Sequence, residues 1–231
     1  MLREWDKLPK YMRTEEVRPY YDRLQKARVG LALKRAFDVA VSAVMLVVLS
    51  PVMIGLSVAI ALDSPGGVFF RQERITQYGR KFKIHKFRTM VANADKLGSQ
   101  VTVKNDMRVT RVGSMIRKYR LDELPQLIDV LNGDMSFVGT RPEVTKYVKQ
   151  YTPEMMATLL LPAGITSEAS IRYKDEDKLL SAADDVDKVY VEKVLPAKMV
   201  WNLESVRRFR FLREILTIFR TVAAVLGKEY I

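Results

Sequence analysis

The 231-residue chain contains no cysteine. That absence excludes a disulfide framework, cysteine-ligated zinc, iron–sulfur clusters and thiol catalysis. It holds a single histidine, His85, which excludes most multi-histidine metal sites and argues against Ser-His-Asp chemistry. With only a lysine beside it and no partner motif, His85 reads as structural. Neither a GxxxxGKS/T nor a GxGxxG sequence occurs, so those phosphate-cradling loops are absent. Acids are scarce relative to bases: 27 Asp and Glu stand against 39 Lys and Arg, a formal charge of +12. Such an excess points to polyanions: nucleic acid, an anionic membrane face, or a phosphorylated substrate. With 48% hydrophobic residues the chain is not disordered, and its length suits one domain with appendages. Catalysis, if present, falls to carboxylates, Lys, Arg or a metal held by oxygen.

The longest feature present is an uncharged run of 24 residues from Val39 to Leu62. As a straight helix it reaches roughly 36 Å, enough for a bilayer core of about 30 Å. Ser50-Pro51 sits at its centre, where proline removes a backbone hydrogen bond and crowds the preceding turn. Both flanks are cationic: residues 1–35 carry ten bases against five acids, and residues 63–90 carry seven against two. Positive flanks favour the cytoplasmic side, so a helix that enters, breaks at Pro51 and returns satisfies both. A kinked spanning helix and a buried helical hairpin are the alternatives. The run starts too late and is too long for a cleaved signal peptide.

Around this segment, Tyr20, Leu24, Ala27 and Leu31 recur at helical spacing in a charged arm over residues 1–33. Ser64-Pro65-Gly66-Gly67 is a turn, and two extended segments flanking Gly79 predict a short β-hairpin. Ile116 to Leu131 reads as one helix, and Glu143 to Tyr151 as another. Residues 168–192 are locally acidic, the pattern of a solvated loop. From 204 to 226, Phe211, Leu212, Ile215, Phe219, Val222 and Leu226 form a helical stripe among arginines. Such a helix lies in a membrane interface or docks on a core.

The sharpest candidate site is Leu121-Asp122-Glu123-Leu124-Pro125. Asp122 suits an N-cap, and Pro125 suits a first helical turn. A carboxylate there is held in its ionised, nucleophilic form by the helix dipole, and its neighbour can hold Mg²⁺. Taken alone, the pentapeptide reads as ordinary helix capping. The cations Lys86, Arg88, Arg117 and Arg141 stand at element ends and are suited to phosphate oxygens. Each taken singly is a common solvated charge. Together with Asp122-Glu123 they suit phosphoryl transfer.

The order of motifs resembles the bacterial sugar transferases, or monotopic phosphoglycosyl transferases. Lys34-Arg35-x-x-Asp38, the Ser50-Pro51 apolar helix, Asp63-Ser64-Pro65-Gly66 and Phe69-x-Arg71-Gln72-Glu73-Arg74 come first. Lys86-Phe87-Arg88-Thr89-Met90, Asp122-Glu123-Leu124-Pro125-Gln126-Leu127 and Gly133-Asp134-Met135-Ser136-Phe137-Val138-Gly139-x-Arg141-Pro142 follow. The resemblance implies an α/β, helix-dominated monotopic membrane protein. Its parts would be one re-entrant helix broken at Ser50-Pro51, a small β-hairpin and interfacial amphipathic helices. The expected division is an arm over 1–33, the membrane helix over 34–63 and a cytosolic catalytic domain over 64–231.

The resemblance further implies transfer of a sugar 1-phosphate from a UDP-sugar to polyprenyl (undecaprenyl) phosphate, with release of UMP, at the start of exopolysaccharide or lipopolysaccharide assembly. Asp122 would be the nucleophile, forming an aspartyl-phosphosugar intermediate, and Glu123 with Asp122 would hold Mg²⁺. Lys86, Arg117 and Arg141 would contact phosphate, with Asp187 a weaker active-site candidate. The expected setting is the cytoplasmic face of a bacterial inner membrane, against anionic lipid, with no nucleic acid partner and homo-oligomerisation left open. Where the family carries an arginine this chain has Pro162, for which Arg172 or Lys174 would substitute. Two competing readings are a non-catalytic basic membrane-surface module of a polysaccharide assembly system and a nucleic-acid binder.

Overall fold

In the computed structural model the uncharged run forms the middle of one 36-residue helix, α2 (Arg28–Asp63). The structure describes residues 2–94, 106–173 and 185–225; Lys174 and Leu226 lie outside them. Pro51 does not end the helix. It has no N–H to offer the carbonyl of Val47 four residues earlier, and the hydroxyl of Ser50 donates to that carbonyl at 2.7 Å. The Ser-Pro pair thus removes one ladder bond and refills its acceptor. Around this point Val44, Val47, Val48, Val52, Ile54 and Val58 are exposed. Among the described residues this is the one helix long and apolar enough to cross a membrane.

Both arms of α2 are fastened to the same body. Before the proline, Lys34 donates to the carbonyl of Val138 at 2.8 Å and pairs with Glu214. Arg35 donates to the carbonyls of Val130 and Leu131 at 2.7 and 2.9 Å. Those are last-turn carbonyls of α4 (Gln126–Asn132); Val130 also accepts from the cap N–H of Gly133 at 3.1 Å, and Arg35 supplies the donor that Leu131 lacks at the helix end. Asp38 accepts from the backbone N–H of Phe137 at 3.3 Å. After the proline, Asp63 accepts from the N–H of Val112 at 2.9 Å, in the first turn of α3 (Arg111–Lys118). Arg88 donates to the carbonyls of Ser64 and Pro65 at 2.7 and 2.6 Å, closing the C-terminus of α2. Ile60 packs with Phe87 and Ile116, all three buried.

The predicted hairpin is present as β1 (Phe69–Ile75) and β2 (Lys81–Phe87), antiparallel, with Phe69 opposite Phe87. Two four-residue strands, β3 (Met135–Val138) and β4 (Ala163–Thr166), pair in parallel and were not anticipated. Gly139 and Gly164 meet backbone to backbone there. A Cβ on Gly164 would lie 2.1 Å from the Gly139 nitrogen.

The expected Glu143–Tyr151 helix shrinks to one turn, α5 (Thr145–Val148). Beyond it come α6 (Glu168–Arg172), α7 (Val186–Val189), α8 (Leu195–Arg207) and α9 (Phe211–Val225). The arm is no loose appendage and carries α1 (Arg18–Lys26). Leu8, Met12, Val17, Tyr20, Tyr21 and Leu24 are buried in one apolar cluster with Tyr147, Leu160, Tyr190 and Met199. Helix α2 itself begins at Arg28, within the stretch assigned to the arm.

Candidate active site

The expected single helix over 116–131 is split at Arg120, whose φ of 56° and ψ of 22° place a non-glycine residue in the left-handed region. The chain then makes a tight turn, Leu121–Glu123, and α4 begins only at Gln126 with Pro125 in the cap position. Asp122 is therefore not the N-cap expected of it, and no side chain caps α4. What the turn achieves is to face two adjacent carboxylates into a cationic nest.

Glu123 Oε1 accepts from Lys86 Nζ at 2.9 Å and from Arg141 Nη2 at 2.6 Å. The three residues come from the turn, from β2 and from the loop after β3. Burial alone would raise the Glu123 carboxyl, but the charges of Arg141 and Lys86 outweigh it and hold it well below the usual range. Burial pulls the Lys86 ammonium below its ordinary value, with Glu123 opposing. Asp122 moves the other way: burial first, and the Glu123 charge second, raise it, against the opposing pull of Lys86 and Arg117. Two neighbouring carboxyls thus sit in opposite regimes, the arrangement that separates a clamped anion from a reactive one.

Glu123 and Arg141 open into a cleft of about 830 Å³. Apolar side chains in its wall are Met45 of α2, Leu124, Leu127, Phe137, and Ile218 and Val222 of α9; polar ones are Arg74, Glu143, Tyr147, Tyr190 and Lys198. Tyr190 donates to Glu143 Oε1 at 2.5 Å, and the Lys198 ammonium lies 5.4 Å from the Tyr190 ring centre. Burial lowers the Arg74 guanidinium from its ordinary value.

Among the residues singled out in the sequence, Asp122, Glu123, Lys86 and Arg141 converge, and Arg117 acts on Asp122 through its charge. Asp187 stands behind Tyr147: its two oxygens accept from Lys146 Nζ and Tyr147 Oη, each at 2.6 Å, and these bonds hold it below the usual carboxylate value. Arg172 does not face the cleft. Its guanidinium lies 3.7 Å over the ring of Trp201, because α6 turns Ser170, Ile171 and Tyr173 to the cleft instead. Arg88 closes a helix end rather than binding in the cleft. His85 is structural: its backbone N–H and Nδ1 lie 2.9 and 2.6 Å from the two oxygens of buried Asp129. Sequence reasoning missed Arg74, Glu143 and Lys198, which no local pattern marks as neighbours of Glu123.

A cationic cleft with a paired carboxylate, set between a membrane-grade helix and a small α/β body, defines the class. The sequence profile of the bacterial sugar transferase family matches residues 29–228, and the chain belongs to that family. It is 35% identical over 197 residues to the UDP-N-acetylgalactosamine-undecaprenyl-phosphate N-acetylgalactosaminephosphotransferase of Aeromonas hydrophila, covering 84% of this chain and 44% of that protein. It is 37% identical over 209 residues to the UDP-glucose:undecaprenyl-phosphate glucose-1-phosphate transferase of Escherichia coli strain K12, covering 88% and 42%. A third relative, an exopolysaccharide production protein of Rhizobium leguminosarum bv. phaseoli, is 47% identical over 207 residues, covering 87% of this chain and 98% of its own length. The chain therefore spans less than half of the first two relatives and almost all of the third.

Proposed function

We propose that the chain transfers a sugar 1-phosphate from a UDP-sugar to undecaprenyl phosphate at the cytoplasmic face of a bacterial inner membrane, in the assembly of an exopolysaccharide or related glycoconjugate. The observation that carries this is the placing of Asp122 beside a Glu123 that Lys86 and Arg141 clamp, with Glu123 and Arg141 lining a cleft that also holds apolar and cationic side chains. Family membership and the activities for which the relatives are named support it.

The chemistry follows from the charges. An oxygen of the Asp122 carboxylate attacks the phosphorus that bears the sugar, and the bond to the UMP oxygen breaks, releasing UMP. The phosphate oxygen of the polyprenyl acceptor then attacks the same phosphorus and returns Asp122 to its carboxylate. Raised above its usual value, Asp122 is the more basic and more nucleophilic carboxyl of the two. Lys86, Arg141 and Arg117 offset charge building on the phosphoryl oxygens. Among the lining residues, Met45, Phe137 and Val222 suit the polyprenyl chain, and Arg74 and Lys198 suit the nucleotide end.

Asp122 and the second oxygen of Glu123 would hold Mg²⁺. One or two carboxylates completed by substrate phosphates are the usual donor set for that ion. When bound, the ion neutralises diphosphate charge.

The monotopic, re-entrant reading of α2 is supported by the docking of both its arms on one body and by its exposed apolar middle. Helix α9 would lie on the anionic leaflet through its exposed Leu212, Leu216 and Phe219. The test is direct: purified protein, undecaprenyl phosphate, Mg²⁺ and a panel of UDP-sugars, with UMP release as the readout. No release with any donor overturns the proposal.

A further inference from the structure

We infer that a second cavity, across α9 from the active-site cleft, holds the headgroup of an anionic, hydroxyl-bearing glycerophospholipid of the surrounding bilayer. Helix α9 divides the two spaces: Ile218, Thr221 and Val222 line the cleft, whereas Arg213, Leu216 and Arg220 line the second cavity. This cavity encloses about 450 Å³ between α8, α9 and the loop after β3.

Its charges do not cancel. Three carboxylates line it and each is already paired: Glu168 with Arg220 at 3.2 Å, Glu204 with Arg208, and Glu214 with Lys34. Arg210 and Arg213 also line it, and among the described residues neither has a carboxylate partner. The wall therefore carries two positive charges, and a phosphodiester is the anion that two guanidinium groups fit.

The second observation is a buried amide. Asn202 lines the cavity and is only 4% exposed. Its Oδ1 has no hydrogen-bond partner, and its Nδ2 reaches only the Met199 sulfur at 3.9 Å. A buried polar atom without a partner is unfavourable, and a headgroup hydroxyl supplies the missing donor. The third is the apolar surface beside the arginines. Leu212, Leu216 and Phe219 of α9 are 73%, 56% and 67% exposed, a place for acyl chains next to the phosphate position. The inference rests on the reading that α9 lies on the membrane, and it adds to that reading a discrete lipid site.

The experiment uses the full chain in a neutral detergent, followed by thermal unfolding with dihexanoyl phosphatidylglycerol, dihexanoyl phosphatidylcholine or inorganic phosphate. Phosphatidylglycerol should raise the unfolding temperature saturably, and the other two should not. Arg210→Gln with Arg213→Gln should weaken the half-saturation point by roughly tenfold or more, whereas Lys10→Gln with Arg13→Gln, equal in charge and remote, should leave it in place. An equal shift with phosphatidylcholine, saturation by inorganic phosphate alone, or equal weakening by the remote pair overturns the site. A photoreactive phosphatidylglycerol analogue on the unaltered chain needs no variant: crosslinks should concentrate within residues 202–217, and crosslinks spread over the surface overturn it. UMP release measured in parallel separates the two readings. Absent turnover in the unaltered chain with the lipid shift intact counts against the transfer reading alone, and loss of turnover in the double variant without added lipid assigns these arginines to the reaction instead.

Discussion

Arg141 and Lys86 bind the same oxygen of Glu123, at 2.6 and 2.9 Å. One carboxylate oxygen thereby fixes two cations brought from different elements, and the second oxygen is left for another positive charge. Replacing Glu123→Gln removes the anion that both cations bind. We expect a loss of about 1–3 kcal/mol in unfolding free energy, since both cations are partly solvated and can relax toward water. UMP release should fall by about 10- to 1,000-fold. A denaturant titration and a steady-state assay on the same preparation check both.

Asp122→Asn is expected to separate activity from stability. The amide keeps the size of the carboxylate but removes the attacking oxygen, so turnover should drop by roughly three orders of magnitude or more. No labelled phosphosugar should remain on the protein when acceptor is withheld. Stability should hold or rise: burial and the neighbouring Glu123 make the Asp122 anion unfavourable in the fold, and the amide relieves that. A variant that still accumulates the adduct assigns the nucleophile to another residue.

The pH profile carries the same sign. A carboxyl whose value is raised in the folded protein is protonated at a higher pH than in the open chain. The acid limb of kcat/KM should therefore lie above 3.8, the ordinary aspartate value, and activity should fall as pH drops through it. Glu123→Gln removes one of the two raising causes and should move that limb downward in whatever activity remains. An acid limb unmoved by that substitution contradicts the electrostatic account.

Much of this was legible in the chain because the signals were long or local. Twenty-four uncharged residues announce α2, Gly79 between two extended runs announces the hairpin, and the stripe through Phe211, Leu212 and Phe219 announces α9. Strands β3 and β4 were not legible: four residues give period 2 too little room, and their pairing rests on Gly139 meeting Gly164, 25 positions apart. The break at Arg120 left no mark either, since nothing in an arginine announces a positive φ. Of the site, the turn carrying Asp122 and Glu123 was visible as a motif. Its polar lining was not, because Arg74, Glu143 and Lys198 meet only in space.

Arg35 and Arg88 do the same work at opposite ends of the membrane helix's attachment. Arg35 closes the carbonyl end of α4, and Arg88 closes that of α2. Arg35→Met leaves the Leu131 carbonyl without a donor and Val130 with only the Gly133 N–H, and Arg88→Met strips the Ser64 and Pro65 carbonyls; each should cost about 1–3 kcal/mol. They touch different helices, so the double variant should lose close to the sum. Reduced extraction yield and a lowered unfolding temperature, with the KM for the UDP-sugar unchanged in the surviving protein, are the expected readouts.

Ser50 and Pro51 set the path of α2, and the chain's lack of cysteine makes that path measurable. If the helix enters and returns, residues on both sides of it stay in the cytoplasm. Lys10→Cys and Lys193→Cys introduce single thiols at exposed positions on the two sides. Both should resist an impermeant maleimide applied to intact cells, and both should react once the cells are opened. Replacing Ser50 and Pro51 together by leucine restores the missing ladder bond and leaves an uninterrupted apolar helix of roughly 36 Å, sufficient to cross. In that background the Lys10→Cys thiol should become reactive in intact cells while the Lys193→Cys thiol stays protected. Ser50→Ala alone should leave the topology intact, but it deprives the Val47 carbonyl of its 2.7 Å donor inside the apolar segment, at a cost of about 1 kcal/mol or more. If Lys10→Cys already reacts in intact cells with Pro51 present, the helix spans, and the docking of its two arms on one body does not describe the protein in its membrane.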